Sequence, residues 1–582
     1  MARAVRAAGV VALYLGLVVW LTWPLAAHLS DALPDVVMPS RYDPLQAGWA
    51  MASVSRALVT DPARLTEANI YHPTRHALFY GHGGFGALPL FAPAFLATGS
   101  PTTALNVTLI GALALTTAAL HAVVTRWTGL PLAGLVAGWT VLTARWSLWE
   151  WMPTAPHEAA LCAFPLVVLL AADATPTWPA IVALLVLVIL QCLVDVMYVA
   201  PAVLGPLLLL ALVRVARPAT RRAGLRLAAV VGLAVLAVLP VLAGYHGISA
   251  DNPNLHDQTL WRVPEAPVEL PWGPFGTLMP MNVQPAILGL IALGALARLV
   301  AGRDGRTPGA TWGHAGYWTL TGLALSLTPV VRWGATDVRT PLWLLQRLVP
   351  TLAYVRAPTR LGVGGLIGLS LLAGLGFAEC ARRLGPARSR RVVATALAAV
   401  VVTATFVEYS RGFSWPFLRR PLPAGYPLWR PSGPDDPLLP VLRAGSGPLV
   451  ELPLAPRAPT DMSDVVDKLP FPHAAAMYRS IFHRRPILNG YGSFYPEAWP
   501  ARLALADGLP DPTALAALRA ETGLTTVVVH TADCTAEARE RWQAASAGRD
   551  DLRLAARVGT DLVFDVLAVP AVAERPDAGP PR

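Results

Sequence analysis

Four groups of residues in this sequence have types and spacing suited to chemistry. Arg41-Tyr42-Asp43-Pro44-Leu45-Gln46-Ala47-Gly48-Trp49 follows the first apolar run and puts an acid just beyond it. Pro156-His157-Glu158 opens a later apolar run, Asp195 and Tyr198 stand three positions apart, and Arg356-Ala357-Pro358-Thr359-Arg360 precedes another run. Carboxylates and imidazoles accept protons, whereas guanidinium groups only donate and hold anions. Ionisable groups at membrane depth are expensive to place, so each one is a functional hypothesis in need of a partner.

Each group also has a plainer reading. Asp43 before Pro44 is a way to start a helix, the Asp side chain capping a free N–H and Pro taking the first helical position. Glu158 after Pro156 complements a helix dipole. Asp195 and Tyr198 share a helical face and can bond each other or a neighbouring helix. Arg356 and Arg360 can snorkel to lipid headgroups, and Tyr71-His72-Pro73 reads as loop chemistry.

The chain that must position these residues has 582 residues, 54% of them hydrophobic and 14% charged, which is too apolar for a soluble protein of this length. It is read as a polytopic α-helical membrane protein. The formal charge of +10 does not point to nucleic acid, because the clustered arginines fall in short loops between apolar runs and report orientation. Lys468 is the only lysine, so an arginine here says less than usual about bidentate binding. Cys162, Cys192, Cys380 and Cys534 show no paired spacing for zinc or a disulfide framework.

Arg3 and Arg6 precede an apolar run from Ala7 to Ala27, read as an uncleaved first helix entering from the cytoplasm. A long polar loop, 28–84, follows and carries interfacial helices. Phe85 to Ala97 holds Pro89 and Pro93 and is short of the roughly twenty residues a span needs, so it reads as re-entrant or interfacial. Further spans are expected near Thr103–Thr125, Leu130–Trp146, Glu158–Ala172, Trp178–Val196, Val199–Val215, Leu227–Ala243, Pro285–Ala301, Gly313–Pro329, Arg360–Ala381 and Val392–Val407, about eleven in all. With the N-terminus inside, the arginine-rich loops around Arg214–Arg226, Arg298–Arg306 and Arg382–Arg391 all fall on the cytoplasmic side. Asp43, His72, Glu150, His157, Glu158, Asp195, Tyr198, His246, Asp251, His256, Asp257, Arg356 and Arg360 then fall on the outer side.

The membrane domain is expected over 1–408, a Pro-rich connector over 409–437, and an extracytoplasmic α/β domain over 438–582. Within the last, Pro448–Leu454, Thr525–His530 and Leu562–Val569 read as strands, and Pro512–Thr522 and Ala536–Ala545 as amphipathic helices. It contains no P-loop, dinucleotide fingerprint or nucleophile elbow, and no internal repeat is evident in the chain. Asn489-Gly490-Tyr491-Gly492-Ser493-Phe494-Tyr495 has the amide and aromatic content that sugars pack against, but reads first as a tight turn with core aromatics.

An acid early in a long first external loop, about eleven spans and a C-terminal outer domain together resemble the GT-C superfamily of integral-membrane glycosyltransferases. Tyr42-Asp43-Pro44-Leu45-Gln46, Ile70-Tyr71-His72-Pro73-Thr74, Val355-Arg356-Ala357-Pro358-Thr359-Arg360 and Asn489-Gly490-Tyr491 are similar to motifs of bacterial multi-spanning proteins of that superfamily. The resemblance implies a bacterial inner or plasma-membrane enzyme of the cell envelope. Its donor would be a polyprenyl-phosphate sugar, its acceptor an extracytoplasmic glycan, lipid or protein, and its surroundings membrane lipids.

The implied chemistry inverts the anomeric centre. The phosphate leaves already charged, so no general acid is needed; what remains is a base, for which Asp43 fits, and positive charge near the phosphate, for which Arg356 or Arg360 fits. His157, Glu158, Asp195 and Tyr198 complete the expected substrate-binding set. Many members carry two adjacent acids in this loop, whereas Asp43 lies between Tyr42 and Pro44, which argues against a divalent metal there. The alternative from another class is a non-catalytic carrier or scaffold for lipid-linked glycans. A carrier would show repeat-related halves.

Overall fold

The computed structural model describes the chain except for residues 1, 37–40, 174, 253–267, 270–278, 301–308, 334, 350–351, 353–354, 356, 385–389, 415–417, 420–421, 455–469, 546 and 568–582. The fold divides into two units, one formed by Met1–Leu65 with His82–Pro431 and the other by Thr66–Gly81 with Ser432–Arg582.

The first unit is helical. In chain order it contains α1 (Ala2–Leu21), α2 (Tyr42–Thr60), α3 (Leu88–Thr98), α4 (Pro101–Thr128), α5 (Pro131–Thr143), α6 (Ala163–Ala171), α7 (Trp178–Val194) and α8 (Val199–Val215). It continues with α9 (Arg221–Asp251), α10 (Pro285–Val300), α11 (Gly309–Ser326), α12 (Pro341–Leu348), α13 (Val363–Arg383) and α14 (Arg390–Ser410). By length and composition, five segments among the described residues can cross a membrane: Ala4–Leu21, Pro101–Thr128, Pro218–Asp251, Pro358–Arg383 and Arg391–Ser410. Six more apolar helices are shorter, and α3, with 11 residues, spans about 16 Å against a hydrocarbon core of about 30 Å.

Local signals set several of these boundaries. Ser100 caps α4 by accepting from Thr103 N at 3.1 Å, Pro101 takes the first helical position, and Gly129 at φ 71° ends the helix. The run expected as one span from Glu158 to Ala172 is instead a 3-10 turn, Pro156–Ala159, followed by the nine-residue α6. Where α5 ends, a single π turn, Trp146–Glu150, carries the backbone away from the helix axis.

Helix α13 lies at the centre of the unit. Its 18-residue apolar window is wholly buried, and it packs against α5, α10 and α11. Small residues permit that approach, as they do where helix association cannot draw on a hydrophobic drive. A Cβ on Gly294 of α10 would stand 2.3 Å from Gly376 Cα, and one on Gly322 of α11 would stand 2.1 Å from Gly365 N. Gly294→Ala therefore must push α10 off α13 and is expected to cost about 1–3 kcal/mol by overpacking. Gly289→Ala on the same helix meets nothing within 4 Å and is expected to be neutral or mildly stabilising. Thermal melts of the two purified variants check this, and equal melting temperatures would contradict it.

The second unit holds a four-stranded sheet of β1 (Leu449–Leu452), β2 (Thr526–His530), β3 (Leu552–Val558) and β4 (Asp561–Val566), in the order β3-β4-β2-β1. β1 and β2 run parallel, and the β2–β4 and β3–β4 pairs are antiparallel. Among the described residues five helices accompany it: α15 (Leu439–Ala444), α16 (Pro470–His483), α17 (Trp499–Asp507), α18 (Pro512–Thr522) and α19 (Ala536–Ala544). Val450, Leu452, Val527, Val529, Leu562 and Phe564 from the sheet meet Leu515, Leu518 and Trp542 from α18 and α19 in one apolar core. Asp511 starts α18 by accepting from Thr513 N and Ala514 N at 2.9 and 3.0 Å, and Gly523 at φ 68° ends it.

Thr66–Gly81, expected to belong with the membrane domain, is part of this second unit. Backbone hydrogen bonds hold it there: Tyr71 N donates to Asn489 O at 3.1 Å, His72 N to Ile487 O at 3.0 Å, and Ile487 N to Asn69 O at 2.7 Å. Two of the motifs that carried the resemblance thus meet. A Cβ at Gly490 would lie 2.2 Å from the Tyr71 ring, while Asn489 bonds the backbone of Glu451 through both ends of its amide. The glycine and the amide serve packing and strand alignment here, which is the turn-with-core-aromatics reading of that segment.

A buried ionic network crosses the parallel pair. Arg479 of α16 bonds Glu451 of β1 and reaches Asp436 at 2.8 Å, while His530 at the end of β2 lies 3.2 Å from both Glu451 and Asp561. Burial raises the Glu451 carboxyl, but Arg479 and His530 overcome it and bring its pKa down to about 2. Burial likewise lowers His530, and its bonds to Asp561 and Glu451 bring it up to about 9.

The signs give a pH window. The His530 share of stability is complete below the ordinary 6.5 and is lost as pH rises through about 9. The Glu451 share is complete above the ordinary 4.5 and is lost as pH falls through about 2. Both are therefore full between those two ordinary values. Glu451→Gln at pH 6 takes one of two carboxylates from buried Arg479, which keeps Asp436, and is expected to destabilise the unit by about 1.5–3 kcal/mol. Hydrogen exchange at β1 and β2 in the full chain measures this; unchanged protection there would contradict it.

Candidate functional site

Three segments far apart in the sequence bring the expected polar residues of the first unit together. The 3-10 turn Pro156–Ala159 carries His157 and Glu158, 3% and 5% exposed. The break between α7 and α8 carries Asp195 and Tyr198, and the 3-10 turn Pro358–Gly362 before α13 carries Arg360. One ligand atom from each of His157, Glu158 and Asp195 lies within 4.8 Å of the others.

Asp195 and Tyr198 do not share a helical face. Asp195 stands in extended conformation just past α7, and its Oδ1 accepts from Met197 N at 2.6 Å and Tyr198 N at 2.8 Å. That double acceptance satisfies the amides of the two residues that lead into α8, which is why the chain turns there instead of continuing as one helix to Val196. It also fixes the direction of Oδ2, which faces the imidazole of His82, with Nδ1 at 3.3 Å.

His82 was not singled out from the sequence. Its loop, His82-Gly83-Gly84-Phe85-Gly86, is pressed against two neighbours. A Cβ on Gly86 would lie 2.4 Å from Val194 N, at the end of α7, and Gly84, at φ 60°, has Met51 of α2 and Cβ of His157 beside it. Glycine is required at both positions, the first for close approach and the second for its backbone angle. The run of glycines directly after a histidine, between α2 and α3, was the available signal. Burial pushes His82 down, but Asp195 more than offsets it, so the imidazole titrates above its ordinary value.

Arg360 turns inward instead of snorkelling. Its guanidinium carbon lies 3.2 Å from the Trp151 ring centroid and 4.9 Å from that of Tyr198, a stacked cation held between two aromatic side chains. It is within electrostatic reach of Glu158, His157 and His82. Stacking leaves the N–H edge of a guanidinium free to address an anion. Trp151, like His82, was missed, because nothing in its local sequence marks it as the partner of an arginine some two hundred positions away.

The remaining expected residues lie elsewhere. Asp43 does not precede its helix as a cap. The α2 helix begins at Tyr42, the capping position is Arg41 without a side-chain bond, and Asp43 is partly buried in the first turn, where its charge complements the dipole. Arg41 is held by Asp35, with bonds of 3.0 and 2.6 Å, and lies over Trp429. Met51, the α2 residue beside Gly84, is eight positions further on, about 12 Å along the axis from Asp43. Glu150 pairs with Arg145 at 3.0 Å, both side chains 3% exposed. Arg356, His256 and Asp257 lie outside the described residues.

No protein-family model and no curated protein matches the chain by sequence. Its structure is similar to that of the arabinofuranosyltransferase AftD from Mycobacteria, with a TM-score of 0.53 and 15% identity over 97% of this chain. The chain shares its fold with that protein. The chain spans 40% of the length of AftD. ArnT from Cupriavidus metallidurans, solved bound to undecaprenyl phosphate, is a looser likeness at TM-score 0.45 and 13% identity, covering 96% of this chain and 98% of that one. In this fold the cluster of His82, His157, Glu158, Asp195 and Arg360 is set at helix ends and in the turns between them, where side chains can converge without interrupting a helix.

Proposed function

We propose that the chain moves a sugar from a polyprenyl-phosphate donor to a hydroxyl acceptor on the extracytoplasmic side of a bacterial inner membrane. The observation that carries this is Arg360, stacked on Trp151 and Tyr198 beside two buried carboxylates, in a fold shared with a membrane glycosyltransferase.

In this reading Arg360 receives the donor phosphate, with its stacked plane leaving the N–H fork for the phosphate oxygens. Glu158 and Asp195, with His157 and Tyr198 next to them, line the sugar side. The acceptor oxygen forms its bond to the anomeric carbon on the face opposite the phosphate, and the anomeric carbon–oxygen bond to phosphate breaks. Its electron pair leaves on the polyprenyl phosphate, and an acceptor bound between the cluster and the start of α2 passes its proton to Asp43. The configuration inverts. A donor held by its lipid tail stays at the interface, which suits a site at helix ends. The N-terminus lies in the cytoplasm and the second unit outside, where it meets the acceptor.

Polyprenyl phosphate without a sugar, added to the purified chain, is expected to raise its melting temperature saturably. Arg360→Ala should lose that shift while melting normally without lipid. An equal shift in wild type and variant would remove Arg360 from the phosphate site.

A further inference from the structure

We propose that His157, Glu158 and Asp195 bind one divalent first-row transition-metal ion, Mn2+ or Zn2+. Their ligand atoms lie within 4.8 Å of one another, and all three residues are buried. Around an ion with bonds of about 2.0–2.2 Å, neighbouring ligand atoms stand roughly 3–3.6 Å apart, so side-chain rotations of about an ångström close the set.

An independent observation points the same way. His157 is 3% exposed, and neither of its ring nitrogens has a hydrogen-bond partner among the described residues. A buried imidazole so placed forfeits both bonds it could make. Donation from one ring nitrogen to an ion between Glu158 and Asp195 accounts for its position.

The donor set selects the ion. Mg2+ and Ca2+ prefer all-oxygen ligands, whereas one imidazole with two carboxylates suits Zn2+ or Mn2+. Three protein ligands leave at least one position open. Asp195 is already aimed by the two amides on Oδ1, and His82 stands behind Oδ2 as an outer partner. The acid pair missing around Asp43 is no obstacle, because these ligands come from two other segments. An ion here would stand on the sugar side, beside the Arg360 charge that receives the donor phosphate, and that part of the inference rests on the transferase reading.

The test uses the purified full chain, stripped with a chelator and titrated with Mn2+, followed by the electron paramagnetic resonance of free and bound ion, and with Zn2+ by metal analysis after gel filtration. Saturable binding of about one ion per chain is expected, weakened at least tenfold in each of His157→Ala, Glu158→Gln and Asp195→Asn. The last two substitutions keep size and hydrogen bonding, and circular dichroism confirms that they fold. Absence of saturable binding to wild type, binding that all three variants retain, or equal affinity for Mg2+ would overturn the proposal. Saturable binding without transfer from any donor keeps the ion and removes the transferase reading, and transfer without saturable binding does the reverse.

Discussion

Arg360→Ala is expected to lower kcat/KM for transfer by about 10²–10³-fold, the loss usual when one charged donor to a developing anion is removed. The guanidinium is fixed by the Trp151 and Tyr198 rings, so its field is in place before the phosphate begins to leave. Arg360→Lys keeps the charge but loses the planar fork and its stacking, and should recover no more than about a tenth of the lost rate. Steady-state kinetics with one labelled donor measure both. If the lysine variant matched wild type, the stacked geometry would have no part in the rate. If the alanine variant did, the arginine would have none.

The second large effect is expected at Asp43. Asp43→Asn keeps the size of the side chain and removes its basicity, so the first turn of α2 should form as before, with melting unchanged to within about 0.5 kcal/mol. Transfer should fall by about 10²–10⁴-fold, the range for loss of a general base. The fall should appear in kcat more than in KM, because the proton moves only as the bond forms. A merely structural Asp43 would instead show its loss in the melting temperature and leave kcat unchanged.

Much of this site was legible because charge is costly at membrane depth. That consideration picked out His157, Glu158, Asp195, Tyr198, Arg356 and Arg360, and the structure brings all of these into one neighbourhood but Arg356, which lies outside the described residues. The α18 helix was readable to its ends because Asp511-Pro512 and Gly523 punctuate it locally. What stayed hidden depends on the third dimension. His82 meets Asp195 only because glycines let its loop lie on the end of α7, and Trp151 meets Arg360 across long separation. Tyr71 belongs with Gly490 through backbone bonds that no periodicity announces. The Asp43 and Asp195 assignments shifted for a related reason. A carboxylate beside a helix end can cap, sit in the first turn or span a break, and the choice depends on which amides its neighbours leave open.

Transfer from a panel of radiolabelled polyprenyl-phosphate sugars, catalysed by the purified chain with membrane extract as acceptor and run beside Asp43→Asn, tests the central claim most directly. Label passing into the extract from one donor with wild type, and lost in a variant that melts identically, is the predicted result. No transfer from any donor by a correctly folded chain would contradict the account and return the protein to the carrier or scaffold class.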